Sequence, residues 1–114
     1  VVLGGQQQWW LQGLIVNMSS SQVFFVAIGI GAFTDNAAIT YLVSLVEGLS
    51  DEFKYTLVAG AVTGGGLTII ANAPNPAGAA ILKNHFEDSS IDPIYLFLGA
   101  ILPTIVAGCC FLLL

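Results

Sequence analysis

Between Val23 and Val46 the chain carries one charged side chain, Asp35, and between Tyr55 and Leu82 it carries none. Each of these apolar stretches is nevertheless interrupted by a polar cluster, Thr34-Asp35-Asn36 in the first and Asn72-Ala73-Pro74-Asn75-Pro76 in the second. Stretches this oily point to lipid as their solvent. Lipid offers no hydrogen bonds, so backbone that leaves the helix at that depth must be sheltered by protein or by a water-filled cavity. Composition agrees. Charged residues make up 8% of the chain, against about 25% in soluble domains, and mean hydropathy is +0.88. The expectation is an all-α integral membrane protein.

The remaining charges gather in two clusters, Glu47, Asp51, Glu52 and Lys54, then Lys83, His85, Glu87, Asp88 and Asp92. Both read as solvated helix ends and loops. The net charge of −5 arises there, and without a basic patch nucleic acid is excluded as a partner. Two lysines are too few to orient the chain by the positive-inside rule. The chain begins without methionine, inside VVLGGQQQWW, and reads as a C-terminal part of a longer protein, the remainder of which would help to enclose a polar site. Cys109 and Cys110 are neighbours, about 100° apart on a helix, and read as small apolar residues.

Residues 1–16 read as the end of a span or an interfacial helix, with Trp9 and Trp10 at the membrane surface. Residues 23–46 are apolar on both sides of Thr34-Asp35-Asn36. Each half is about 16 Å long if helical, too short for a hydrocarbon core of about 30 Å. The segment is therefore either one kinked span or a re-entrant hairpin with its tip at 34–36. Ser50 is placed to cap a helix that starts at Asp51 and runs to about Ala71, carrying Gly60 and Gly64 at the spacing that lets membrane helices approach closely. Residues 51–86 form a helix that must break, and 72–76 supplies the break, with Ala79–Phe86 helical beyond it. Asp92 caps the last helix with Pro93 at its first position, giving a span over 93–114 with a kink near Pro103.

The two breaks carry the chemistry. Pro74 and Pro76 lack amide hydrogens, so the carbonyls of Ile70 and Asn72 lose their helical donors and become candidate cation ligands. Asn75 can cap the following half-helix with Pro76 at its first position. Gly65, Thr68 and Asn72 share a face if the helix continues that far. At the first break Thr34, Asp35 or Asn36 can cap the next helix, and Asn36, Thr40 and Ser44 give that helix a polar stripe expected to face the interior. A helix N-terminus favours a negative charge on Asp35, while hydrocarbon favours the neutral acid. One carboxylate balanced between these can take a sodium ion or a proton but not both. Plainer readings stand beside this one, with Asp35 as a simple cap and Asn72–Pro76 as a simple kink.

The stretch GAFTDNAAITYLVSLVEGLSDEFKYTLVAGAVTGGGLTIIANAPNPAG resembles a family of Na+/H+ antiporters. It is more distantly similar to NhaD-type antiporters and arsenite permeases of the ion transporter superfamily. The resemblance implies half of an inverted-repeat transporter, in which a re-entrant hairpin tipped at Thr34–Asn36 meets a helix broken at Asn72–Pro76 near the midplane, followed by one ordinary transmembrane helix. Relatives carry a serine–asparagine–threonine tip where this chain has Thr34-Asp35-Asn36.

The first functional expectation is exchange of Na+ for H+ across a membrane. Asp35 is the shared ligand, and Thr34, Asn36, Asn72 and Asn75 supply further oxygens. Na+ is the transported ion, no resident cofactor is expected, and the location is the bacterial inner membrane. The expected partners are the bilayer, the remainder of the same transporter chain and a second copy in a homodimer. The alternatives are a sodium-coupled carrier or uniporter of a small anion or organic acid, and a non-transporting membrane scaffold. An enzyme is not expected. An intramembrane aspartyl protease needs two aspartates sharing a proton, and Asp35 has no deep partner.

Overall fold

The computed structural model describes residues 2–114, and the fold follows from where helices can start and stop. Seven α-helices are present among the described residues: α1 (Val2–Gly5), α2 (Gln8–Val16), α3 (Ser20–Phe33), α4 (Asn36–Ser44), α5 (Asp51–Gly64), α6 (Pro74–Leu82) and α7 (Pro93–Leu113). Short 3-10 turns at Lys83–His85 and Glu87–Ser89 join the last two, and no strand occurs among the described residues. The starts are chemically marked. Ser19 and Gln22 form a reciprocal capping box at α3. Ser50 Oγ accepts from Phe53 N at 3.2 Å at the head of α5. Asp92 accepts from the amides of Ile94 and Tyr95 at the head of α7, with Pro93 in the first turn. Each bond satisfies an amide that the helix itself leaves unpaired.

Packing is organised by α3 and α5, which lie against each other along most of their length. The contact is close because two positions on α5 have no side chain. A Cβ at Gly60 would lie 2.5 Å from the carbonyl oxygen of Phe24, and one at Gly64 would lie 2.5 Å from that of Ile28. The turn at Thr34-Asp35 sends α4 back along the same pair, so that Val43 and Val46 share an apolar cluster with Val23, Ala27, Phe53 and Leu57. Leu11 and Ile15 of α2 close that cluster from the other side. Fully burying side chains of this size contributes about 1.5–3 kcal/mol each. Trp9 points away from it, 81% exposed.

On the opposite side α7 packs on α5, with Tyr55 and Phe111 edge-to-face at 6.4 Å and Gly108 buried near Thr63 and Phe24. At 21 residues, α7 is about 31 Å long, and among the described residues it is the one helix long and apolar enough to cross a membrane. It runs continuously through Pro103. α3, also apolar, has 14 residues, or about 21 Å.

The second break differs from the sequence expectation. α5 stops at Gly64 rather than near Ala71, and α6 begins at Pro74 rather than Ala79, so the non-helical stretch is 65–73 and not 72–76. Two causes account for this. Gly64, Gly65 and Gly66 in a row each disfavour a helix by about 1 kcal/mol relative to alanine, which ends α5 early. Pro74 and Pro76 sit in the first turn of α6, where an amide has no helical partner to lose, so they start a helix instead of breaking one. Beyond Leu82 the chain tightens into the 3-10 turn, ending α6 before Phe86.

The glycine seam makes a direct prediction. Gly64→Ala should destabilise the detergent-solubilised protein by about 1–3 kcal/mol through overpacking. Gly78→Ala on α6, where an added Cβ meets nothing within 4 Å, should be neutral or stabilising by up to about 1 kcal/mol. Thermal unfolding of the two variants side by side checks this.

Candidate functional site

Four helix ends meet where the two interruptions touch: the C-termini of α3 and α5 and the N-termini of α4 and α6. Helix ends carry backbone groups without intrahelical partners, and these residues fold as they do by exchanging such groups. Thr34 leaves α3 in extended geometry and turns back, donating through both its amide and its hydroxyl to the carbonyl of Ile30 at 2.9 Å. Asp35 is the N-cap of α4, its Oδ1 accepting from Ala37 N at 3.0 Å. The amide of Asn36, first residue of α4, crosses to the second interruption and donates to the carbonyl of Ala71 at 3.2 Å.

The second interruption reaches back in turn. Thr68 donates its hydroxyl to the carbonyl of Ala32, near the end of α3. Ala71, fully buried, donates its amide to Thr68 O at 3.3 Å. Asn75 closes the loop, its Nδ2 donating to Gly65 O and to Thr68 O, each at 2.9 Å. Both partners are carbonyls, which only accept, so the amide nitrogen of Asn75 must face them and its Oδ1 faces away. Backbone at the end of α5 is thus satisfied by a side chain from the start of α6.

This arrangement corrects three expectations. Asn75 does not cap α6. Ala73 holds that position without a side-chain bond, and Asn75 in the first turn caps the carbonyls of the preceding segment instead. Gly65, Thr68 and Asn72 do not share a helical face, because 65–73 is not helical. The stripe Asn36, Thr40 and Ser44 is not interior. With Ala37, Tyr41, Ala61 and Val62 it lines an open groove of about 400 Å³ between α4 and α5.

Of the residues singled out from sequence, Asp35, Asn36 and Asn75 belong to the junction, all three half-buried. Thr34 stands at its exposed edge with its hydroxyl committed to Ile30. The carbonyl of Asn72 accepts from Asn75 N at 3.0 Å, so it is not free as expected, while its side chain makes no hydrogen bond among the described residues. The carbonyl of Ile70 has no donor among the described residues. Pro74 and Pro76 are exposed on the first turn of α6. Sequence reasoning missed the parts played by Thr68 and by the carbonyls of Ala32, Gly65 and Ala71. Thr68 was visible as a hydroxyl in an apolar run, but its partner is 36 positions away.

No group of three or more His, Cys, Asp or Glu side chains able to hold a metal occurs among the described residues. The junction instead offers one carboxylate, two amide side chains and backbone carbonyls. Oxygen donors of this kind suit a hard cation rather than zinc or copper. Asp35 Oδ1 is engaged by Ala37 N, and Oδ2 has no hydrogen-bond donor among the described residues.

Removing the clamps should loosen the junction. Asn75→Asp cannot donate to Gly65 and Thr68 and sets a carboxylate beside their oxygens, and Thr68→Val leaves Ala32 O without its partner. Each should cost about 1–3 kcal/mol, with Thr68→Ser close to wild type. Thermal unfolding, with hydrogen exchange followed at Ala71 and Asn75, reports the loss.

Compared with curated proteins and with solved structures, the chain finds no match. Comparison with family models gives a different result. The family described as "Putative Na+/H+ antiporter" matches residues 1–114, the full length of the chain, and the chain belongs to that family.

Proposed function

We propose that this chain carries the cation site of a secondary transporter that exchanges Na+ for H+, with Asp35 as the ligand the two ions share. The observation that carries the reading is that the two interruptions are hydrogen-bonded to each other, through Asn36 to Ala71 and Thr68 to Ala32, with a carboxylate at the join. The family and the apolar helix α7 make this a membrane protein. Non-helical backbone meeting a charged side chain is the arrangement by which carriers hold ions at membrane depth.

The chemistry follows from what Asp35 lacks. Its Oδ1 is held by the α4 amide, and Oδ2 is open to a cation or a proton. Sodium would draw further oxygens from Asn36, Asn72 and Asn75 and from the free carbonyl of Ile70. A bare carboxylate in a low-dielectric setting is costly. Either ion relieves that cost and the two compete for one group, so the site can cross the membrane loaded with Na+ or with H+ but not empty. This is a carrier cycle with no covalent step and no resident cofactor.

In this reading α3, the Thr34–Asn36 turn and α4 are a re-entrant hairpin, and α5 with α6 is a discontinuous transmembrane helix. A second, inverted half supplied by the rest of the transporter completes the pathway, as in the NhaD-type superfamily that the sequence resembles. The setting is the bacterial inner membrane, where a homodimer is the proposed assembly.

Asparagine caps helices as well as aspartate does, so Asp35→Asn removes the carboxylate while keeping the turn. In proteoliposomes of the full-length protein, Asp35→Asn should abolish Na+-driven proton release, read with an internal pH dye, and Asp35→Glu should retain part of it. Exchange at the wild-type rate in Asp35→Asn would overturn the assignment.

A further inference from the structure

We propose that the groove between α4 and α5 is the aqueous approach by which a hydrated alkali cation reaches the junction, an inference that rests on Asp35 being the cation ligand. The groove starts at Asn36, beside the join, and follows one face of α4 through Thr40 to Ser44, a run of about 12 Å. Its opposite wall is Ala61 and Val62 of α5, and the small side chains of Ala37 and Ala61 leave room between the helices.

Two hydroxyls of the lining are fixed by hydrogen bonding to the helix. Thr40 donates its hydroxyl proton to Asn36 O at 3.0 Å, and Ser44 donates to Tyr41 O at 2.6 Å. Each hydroxyl has one proton and two lone pairs, so with the proton committed to the helix the oxygen presents only acceptor capacity to the groove. Neither lysine lies along it. These two oxygens can replace waters around a cation.

Single cysteines at Thr40, Ser44 and Val62, in a cysteine-free full-length background that includes Cys109→Ser and Cys110→Ser, test the route. Ala38→Cys, exposed on α4 but outside the groove, is the control. Proteoliposomes are treated with small cationic and anionic thiosulfonate reagents. The groove positions should react about tenfold faster than Ala38→Cys, because only a hydrated thiol ionises readily. They should also favour the cationic reagent relative to a free thiol, and once labelled at Thr40 or Val62 the protein should lose Na+ flux. Labelling no faster than Ala38→Cys, a preference for the anionic reagent, or full flux after labelling would overturn the proposal. The same labelling in an Asp35→Asn background separates the two ideas. An intact pattern there stands whatever Asp35 does in transport, and a failed pattern leaves the Asp35→Asn transport result untouched.

Discussion

A backbone that stops being helical in an apolar chain must find hydrogen-bond partners within the protein, and this constraint shapes everything around Asp35. Two interruptions would each leave amides and carbonyls stranded. Here each supplies partners to the other. Asn36 gives its amide to Ala71, Thr68 gives its hydroxyl to Ala32, and Asn75 gives one nitrogen to two carbonyls at the end of α5. Neither break is stable alone in such surroundings, so the polar centre of the molecule is a mutual structure, assembled only when α3 and α5 are packed.

What remains after that exchange is informative. Oδ2 of Asp35, the Oδ1 of Asn75 and the carbonyl of Ile70 accept no hydrogen bond among the described residues. The chain has no arginine, and both its lysines, Lys54 and Lys83, lie outside the two interruptions. The function proposed above fills these acceptors with Na+ or H+, and the family to which the chain belongs is named for moving those two.

Much of this was legible in the residues, and the failures have identifiable causes. Asp35 stood out because charge is rare in the chain, and the capping roles of Ser50 and Asp92 followed from side-chain chemistry two or three residues away. Local rules failed at 65–76. Proline suggested a break at its own position, yet at a helix start it is an initiator, and the three glycines upstream were the real terminator. The tie from Thr68 to Ala32 and the double bond of Asn75 could not be read at all, because they depend on which helices lie side by side. The hydroxyl stripe of α4 was correctly grouped by its four-residue spacing but wrongly assigned to the interior, since spacing fixes a face and not what covers it.

The paired glycines of α5 have one more consequence. Gly60 and Gly64 are a turn apart, as are Phe24 and Ile28, whose carbonyl oxygens they face. Where bare α-carbons oppose oxygens, the helices fit at a single vertical setting, and sliding by one residue would drive a side chain into an oxygen. The seam therefore works like a ruler. It fixes the height at which the two interruptions come level, and the hydrogen bonds of the junction lock an alignment that the glycines have already measured.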